Sequence, residues 1–265
     1  MSNRRWEEDL LRDIKRAGRV WLFLDYDGTL AEFAPTPDDI LPDPQVITLV
    51  TELAEHPRIR LAVVSGRRLG HIEALLPISG AILAGTYGVE LRRWDGKKTQ
   101  QVSKEMARTH LDAIKTRWED LLQDTVGFYL EDKGFAIALH GRHANHSDDQ
   151  VNQIIYRARN AAEDELKSDD FQILGGYKFL EVAPRIADKG KTVRYLLQRY
   201  PVENSIPIYI GDDDKDERAF EAVRAEGGIA ILVAMRPRDS KATYRLRTPV
   251  AVHEWLSELL VCWDD

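Results

Sequence analysis

The chain has 265 residues, 43% apolar and 31% charged, a globular balance that excludes a disordered polymer and leaves room for one large domain or two modest ones. Its net charge of −7 offers no basic excess to displace counterions, which excludes nonspecific nucleic-acid binding but not a small anionic substrate. A single cysteine, Cys262, excludes an intrachain disulfide, and no apolar run is long enough to span a bilayer.

The first residues lack the apolar core of a secretory signal, so a cytoplasmic protein is expected. Trp6, Leu10, Leu11 and Ile14 share one face of a short helix over 4–17. A buried strand follows at 19–25 and ends in Asp25-Tyr26-Asp27-Gly28-Thr29. Asp43 and Pro44 supply an N-cap and a first-turn proline for a helix running to about 56, closed by Pro57. A second strand at 59–64 ends in Ser65-Gly66-Arg67, a helix follows to Leu76, and a third strand at 81–84 ends in Gly85-Thr86-Tyr87-Gly88. Strands alternating with helices of this length predict a parallel, doubly wound sheet of the Rossmann-like α/β type.

The pattern changes near residue 90. Asp95-Gly96 marks a hairpin of 89–94 with 99–102, followed by a helix at 104–123. Asp132-Lys133-Gly134 marks a second hairpin, 127–130 with 135–139. A helix covers 148–167, and a third hairpin pairs 171–174 with 178–182 around Gly175-Gly176. Helices alternating with hairpins predict an α+β domain, 99–182, inserted into a core made of 1–98 and 183–265. The parallel pattern then resumes with a helix at 189–199, a strand at 206–210 ending in Gly211-Asp212-Asp213-Asp214, a helix at 214–225 and a strand at 229–233. Thr248-Pro249 opens a last helix that buries Val252, Trp255, Leu256 and Leu259.

Polar clusters thus sit at the C-terminal ends of three core strands: Asp25 with Asp27, Ser65 with Arg67, and Asp212 with Asp213. That is the edge where open α/β sheets bind ligands. Asp25 and Asp27 project to the same side of an extended strand. Lys189 opens a helix, where the dipole disfavours a cation that has no other use. Adjacent carboxylates repel unless a cation compensates them, and magnesium suits a few such oxygens completed by water and substrate phosphate. His140, His143 and His146 have the spacing of a loop rather than of a metal site.

Asp-x-Asp-Gly-Thr, then Ser, then Lys, then Gly-Asp-Asp-x-x-Asp, in that order, resembles the haloacid dehalogenase superfamily of phosphotransferases. Further segments are similar to one branch, the trehalose-6-phosphate phosphatases: Leu24 to Leu30, Val64 to Arg67, Gly85-Thr86-Tyr87-Gly88-Val89-Glu90, Leu180-Glu181-Val182-Ala183-Pro184, and Gly211 to Phe220. Tyr87, Ala183 and Lys215 depart from that family's usual histidine, arginine and threonine. These departures lie outside the four catalytic motifs and bear on the sugar rather than the reaction.

The resemblance implies a magnesium-dependent phosphatase acting on trehalose 6-phosphate, the last step of trehalose biosynthesis, with the inserted domain as a substrate-recognising cap. A hinge at 89–100 and 182–188 would close it. It implies that Asp25 is the nucleophile and forms an aspartyl-phosphate, and that Asp27 moves the proton. The Asp25 carboxylate, the Asp27 backbone carbonyl and Asp212 would hold the metal, with Asp213 in support behind them. Ser65 and Lys189 would bind the phosphoryl oxygens, and Ser65 could cap the following helix as well. Asp216 is either a partner orienting Lys189 or a water, or a charge favoured at a helix N-terminus, an alternative that Asp213 shares. Arg67, Glu90, Arg142, Lys178 and Glu181 are the substrate-binding candidates, although Lys178 and Glu181 cannot share a face of a regular strand. The expected partner is a small sugar phosphate, with no nucleic acid and no membrane; the sequence leaves the oligomeric state open, a monomer being plausible. The alternatives are a phosphatase for another sugar or glycoside phosphate (sucrose phosphate, or a glycosylglycerate or glycosylglycerol phosphate) and a phospho-acceptor signalling domain.

Overall fold

A computed structural model describes residues 5–33, 39–141, 144, 146–166 and 169–264. The chain folds as two compact units, Met1–Thr99 with Asp188–Asp265, and Gln100–Ala187. The first is an α/β unit built on an eight-stranded sheet. Its elements in chain order are α1 (Arg5–Ala17), β1 (Arg19–Leu24), α2 (Pro44–Glu55), β2 (Ile59–Val64), α3 (Leu69–Leu75), β3 (Ile82–Gly85), a 3-10 turn (Thr86–Gly88), β4 (Glu90–Arg92) and β5 (Lys98–Gln100). The second unit holds α4 (Lys104–Leu122), β6 (Tyr129–Asp132), β7 (Ile137–His140), α5 (Asp148–Glu165), β8 (Phe171–Gly176) and β9 (Phe179–Pro184). The sheet is completed by α6 (Lys189–Arg199), β10 (Ser205–Gly211), α7 (Glu217–Ala225), β11 (Ile229–Val233), β12 (Tyr244–Leu246) and α8 (Pro249–Val261).

The strand order is β12-β11-β10-β1-β2-β3-β4-β5. It is parallel from β12 through β3, and β4 adds antiparallel to β3. Strand β12, three residues long, is too short to register as a periodic pattern in the sequence. Side chains of β1 alternate between two cores. Val20, Leu22 and Leu24 meet α1, α2, α3 and α8 on one face. Trp21 and Phe23 meet α6 and α7 on the other. Burial on both faces explains why the strand reads as a continuous apolar run.

The helix caps follow the sequence. Asp43 accepts from the Gln45 N–H with Pro44 in the first turn, and Thr248 accepts from the Ala251 N–H ahead of Pro249. In the second unit the antiparallel order is β6-β7-β9-β8. There Trp118 of α4, fully buried, donates its indole N–H to the Ala158 carbonyl of α5 at 2.8 Å. Ser147 and Gln150 close a reciprocal capping box at the start of α5. The third hairpin turns later than the sequence predicts. Gly175 and Gly176 stay in β8, and the loop is Tyr177-Lys178, with Lys178 in the left-handed region at φ 52.

Candidate active site

Strands β1 and β10 are parallel neighbours at the point where strand order reverses. The crevice beyond such a point is where doubly wound sheets take ligands. The register pairs Leu24 with Ile210, so the next residues, Asp25 and Gly211-Asp212, leave the sheet side by side. The Asp25 N–H donates to the Ile210 carbonyl at 2.9 Å. Gly28 makes the turn possible. Its φ is +75, and a Cβ there would overlap the Asp212 carboxylate.

Asp216 organises what stands behind this pair. It is fully buried, and its Oδ1 accepts from Lys189 Nζ at 2.7 Å and from the Tyr209 hydroxyl at 2.6 Å. Its Oδ2 accepts the N–H groups of Asp212 and Asp213, each at 3.0 Å. The acidic loop is therefore wrapped around one carboxylate. Lys189, 4% exposed, also reaches Asp25 Oδ1 at 2.9 Å. Burial disfavours its charge, but Asp216 and Asp25 outweigh burial and hold the ammonium well above its usual range.

Burial, opposed by Lys189, drives the Asp25 carboxyl well above the usual carboxylate range, with Asp216, Asp212 and Asp213 adding to the rise. Burial, then Asp216 and Asp213, push Asp212 to about 7. Asp213 is pulled the other way: burial would raise it, but Lys189, Lys215 and the Lys215 N–H bring it below the ordinary value. One carboxylate oxygen each from Asp25, Asp212 and Asp216 lies within 4.8 Å of the others, a group that could hold a metal ion. Both Asp216 oxygens are already taken by donors, so Asp25 and Asp212 are the carboxylates with capacity to ligate.

Asp27 points elsewhere. Its two oxygens are held by the Arg67 fork, Nε to Oδ2 at 2.8 Å and Nη2 to Oδ1 at 2.7 Å. Arg67 is buried by this clamp and also contacts the His71 ring. Ser65 is fully buried, and its hydroxyl accepts the Arg67 N–H at 3.1 Å. It closes the turn after β2 but is not the helix cap, since α3 starts four residues later with Arg68 as its N-cap. Glu90 reaches that same helix start, accepting the Leu69 N–H at 3.3 Å. Thr86 and Tyr87, both buried, have φ of 47 and 56. Two consecutive left-handed residues without glycine mark stored backbone strain at the end of β3. The Tyr87 ring lies over Gly66, where a Cβ would come within 2.7 Å of it, and its hydroxyl accepts from Lys215 Nζ at 2.8 Å.

In the second unit, Glu181 is fully buried on β9 and pairs with Lys133 Nζ at 2.8 Å. Lys133 also lies 3.8 Å from Glu131, which in turn contacts His140 Nε2 at 3.0 Å. Lys178 sits in the β8–β9 turn rather than on the strand, with its ammonium on Asp148 at 2.7 Å. The facing problem raised by its spacing from Glu181 therefore does not arise. Arg142 and His143 lie outside the described residues.

The family model for trehalose-phosphatase matches residues 23–250. The chain belongs to the trehalose-phosphatase family. It is 32% identical over 248 residues to the trehalose-phosphate phosphatase of Mycobacterium marinum, an alignment covering 91% of this chain and 61% of that protein. It is 35% identical over 263 residues to an uncharacterized glycosyl hydrolase of Mycobacterium tuberculosis, covering 94% of this chain and 19% of the larger protein. The chain thus spans between about a fifth and three fifths of these relatives. The C-terminal domain of the Candida albicans trehalose-6-phosphate phosphatase superposes with a TM-score of 0.83 at 22% identity, over 96% of each chain, and so shares the fold.

Two features of this trehalose-phosphatase family member escaped the sequence. Tyr209 lies in an Ile-Tyr-Ile run that reads as plain core, yet a hydroxyl in a fully buried strand needs a partner. Arg238 donates to the Asp212 carbonyl at 3.2 Å and pairs with Asp214 and Glu217, each at 3.1 Å. It follows no strand or helix signal, so only the structure reveals it.

Proposed function

We propose that the chain is a magnesium-dependent phosphatase that hydrolyses trehalose 6-phosphate to trehalose and phosphate through an aspartyl-phosphate on Asp25. The observation that carries this reading is Lys189 bridging Asp25 and Asp216 beside Asp212, at the crevice where strand order reverses. Trehalose-phosphatase family membership supports the sugar.

The Asp25 and Asp212 carboxylates, with the Asp27 backbone carbonyl, would hold the cation. The chemistry of the donor set fits one, because buried carboxyls that resist ionisation are what a divalent charge relieves. When bound, the cation neutralises these carboxylates and polarises the phosphoryl group. A free Asp25 oxygen attacks phosphorus in line, and the bond from phosphorus to the sugar oxygen breaks. Asp27 gives its proton to that departing oxygen, then takes one from the water that attacks the aspartyl-phosphate, releasing phosphate and restoring Asp25. For this Asp27 must leave the Arg67 fork, where both its oxygens accept, and take up a proton from solvent as it does so; it gives that proton back to solvent when it returns to the fork. Lys189 and Ser65 bind the phosphoryl oxygens, and Asp213 and Asp216 hold the loop and the lysine in place. By its resemblance to the family's cap, the inserted unit would supply sugar contacts, with Glu181, Lys178 and Arg142 as candidates and Glu90 as the candidate in the first unit.

The test is phosphate release from trehalose 6-phosphate with and without magnesium. Turnover should require the metal and fall to background in Asp25→Asn. Wild-type turnover in that variant, or a stable phosphoprotein without repeated turnover, overturns the mechanism. Across sugar phosphates that include sucrose phosphate and glycosylglycerate phosphate, trehalose 6-phosphate should show the highest kcat/KM. A better substrate among them transfers the reading to that sugar.

A further inference from the structure

The first unit also has a polar cavity of about 400 Å3, lined by Arg19, Glu55, His56, Arg58, Arg60 and Val202 among others. It opens at the N-terminal ends of β1 and β2, the opposite end of the strands from Asp25. Six residues of β1 separate Arg19 from Asp25, roughly 20 Å of extended chain. The cavity therefore cannot belong to the acidic site.

Its wall concentrates cations in a chain whose net charge is −7. Among the described residues, no ion pair or hydrogen bond engages the guanidinium of Arg19, and no carboxylate pairs with Arg58 or Arg60. Arg58 spends one N–H on the Gly18 carbonyl at 3.2 Å. Arg60 lies over the Trp94 ring, 4.3 Å from its centroid. Stacking of this kind uses the face of a guanidinium and leaves its fork of N–H donors free at the edge. Against these three charges stand Glu55, about half a negative charge from the C-terminal end of α2, and Asp264, which acts on His56 from beyond the wall. Burial lowers His56, so the imidazole adds no cation at neutral pH. Arg19 and Arg58 are exposed and Arg60 is half-buried, so the three guanidinium groups line one open wall with no carboxylate paired to them among the described residues, and an anion would supply the missing charge.

We propose that this cavity is a second anion site that binds a small ligand bearing adjacent phosphate groups, the diphosphate class. The volume falls within the range of small-molecule sites. Three guanidinium groups along one wall offer more forked donors than a single carboxylate can use and suit the many acceptor oxygens of a diphosphate. The site works by binding alone, and no bond is made or broken in it.

Calorimetric titration of the full chain with inorganic pyrophosphate, in EDTA, tests this. Without metal the acidic cluster repels anions, so the arginine cavity is expected to give binding at one equivalent per chain. Affinity should fall at least tenfold in Arg19→Gln/Arg60→Gln and stay unchanged in Asp25→Asn. Orthophosphate and citrate should bind at least tenfold more weakly than pyrophosphate. The arginine variant should hydrolyse trehalose 6-phosphate within about twofold of wild type, since it touches nothing in the catalytic crevice. Arg58→Gln, at an exposed position, provides an independent reading if loss of the Arg60 stack harms folding, and it should weaken pyrophosphate severalfold. No pyrophosphate binding to the wild type at millimolar concentration, full binding by the arginine variants, or citrate binding as tightly as pyrophosphate overturns the proposal. The three overturning results are read from binding alone and do not depend on the catalytic reading; only the trehalose 6-phosphate comparison rests on it.

Discussion

Asp216 accepts four hydrogen bonds inside the first unit, from Lys189 of α6, from Tyr209 of β10 and from two N–H groups of the acidic loop. Remove one, and a buried carboxylate loses part of the solvation that replaced water. Tyr209→Phe deletes only a hydroxyl, so it should cost about 1–3 kcal/mol, measured by urea unfolding, without changing the packing of the ring against Phe220. Gly28→Ala should act differently. The strained φ and the overlap with Asp212 displace the carboxylate by about an ångström, and phosphatase turnover should drop about 100-fold while the protein still folds. Retention of full turnover would show that Asp212 tolerates displacement and is not a ligand. Much of this neighbourhood was legible in the sequence, because aspartates at strand ends and a lysine at a helix start have no ready structural use. The partners were not. Tyr209 looks like core from its neighbours, and the pairing of Asp27 with Arg67, forty positions apart, is fixed only when β1 and β2 lie side by side.

At the scale of elements, the β8–β9 hairpin shows how tertiary contacts override local turn signals. Two glycines ask for a turn at 175–176, yet the register that pairs Leu174 with Glu181 and Ile173 with Val182 carries them into the strand. That register puts Glu181 on buried Lys133, and a slip by one residue would turn the carboxylate to the other face of the sheet. Lys133→Met should therefore destabilise the second unit by about 3–5 kcal/mol, because it strands a buried charge, while Lys133→Met/Glu181→Leu should recover most of that loss. Urea unfolding of the two variants distinguishes a charge effect from lost packing. Arg108 of α4 and the Gly134 N–H, with Lys115, bind Asp132 at the end of β6 and overcome burial to bring its carboxyl down to about 2. A depressed folded pKa means stabilisation that is complete above the unfolded value near 4 and fades as pH falls toward 2. Asp132 is half-buried, its side chain still 29% accessible, so solvent screening holds the effect to about 1 kcal/mol or less. Asp132→Asn should flatten the acid limb of the stability curve between pH 4 and 2 and leave the curve's shape near pH 7 unchanged.

For the molecule as a whole, the alternation of apolar runs and capped helices was enough to read a parallel doubly wound sheet and an inserted α+β segment. What it could not contain was strand order, which depends on how β10 returns to pair with β1, and strand order is what creates the crevice. The same arrangement has an energetic consequence. Asp25, Asp212 and Asp216 converge because the backbone directs them there, against their mutual repulsion and the cost of burial. A folded state carrying such a cluster gives up stability for function. Asp212→Asn removes one of the repelling charges while keeping the shape of the side chain. The metal-free protein should gain about 0.5–2 kcal/mol. A cation that binds the folded chain and not the unfolded one adds about 2.7 kcal/mol at a hundredfold excess over Kd. Magnesium should therefore raise the melting temperature of the wild type and have little effect on the variant, so that the order of the two proteins reverses between EDTA and saturating magnesium. Calorimetry in both conditions reads this crossing directly. If Asp212→Asn melts below wild type in EDTA and still responds to magnesium, the carboxylates are held for structure and the metal, if one binds, has other ligands.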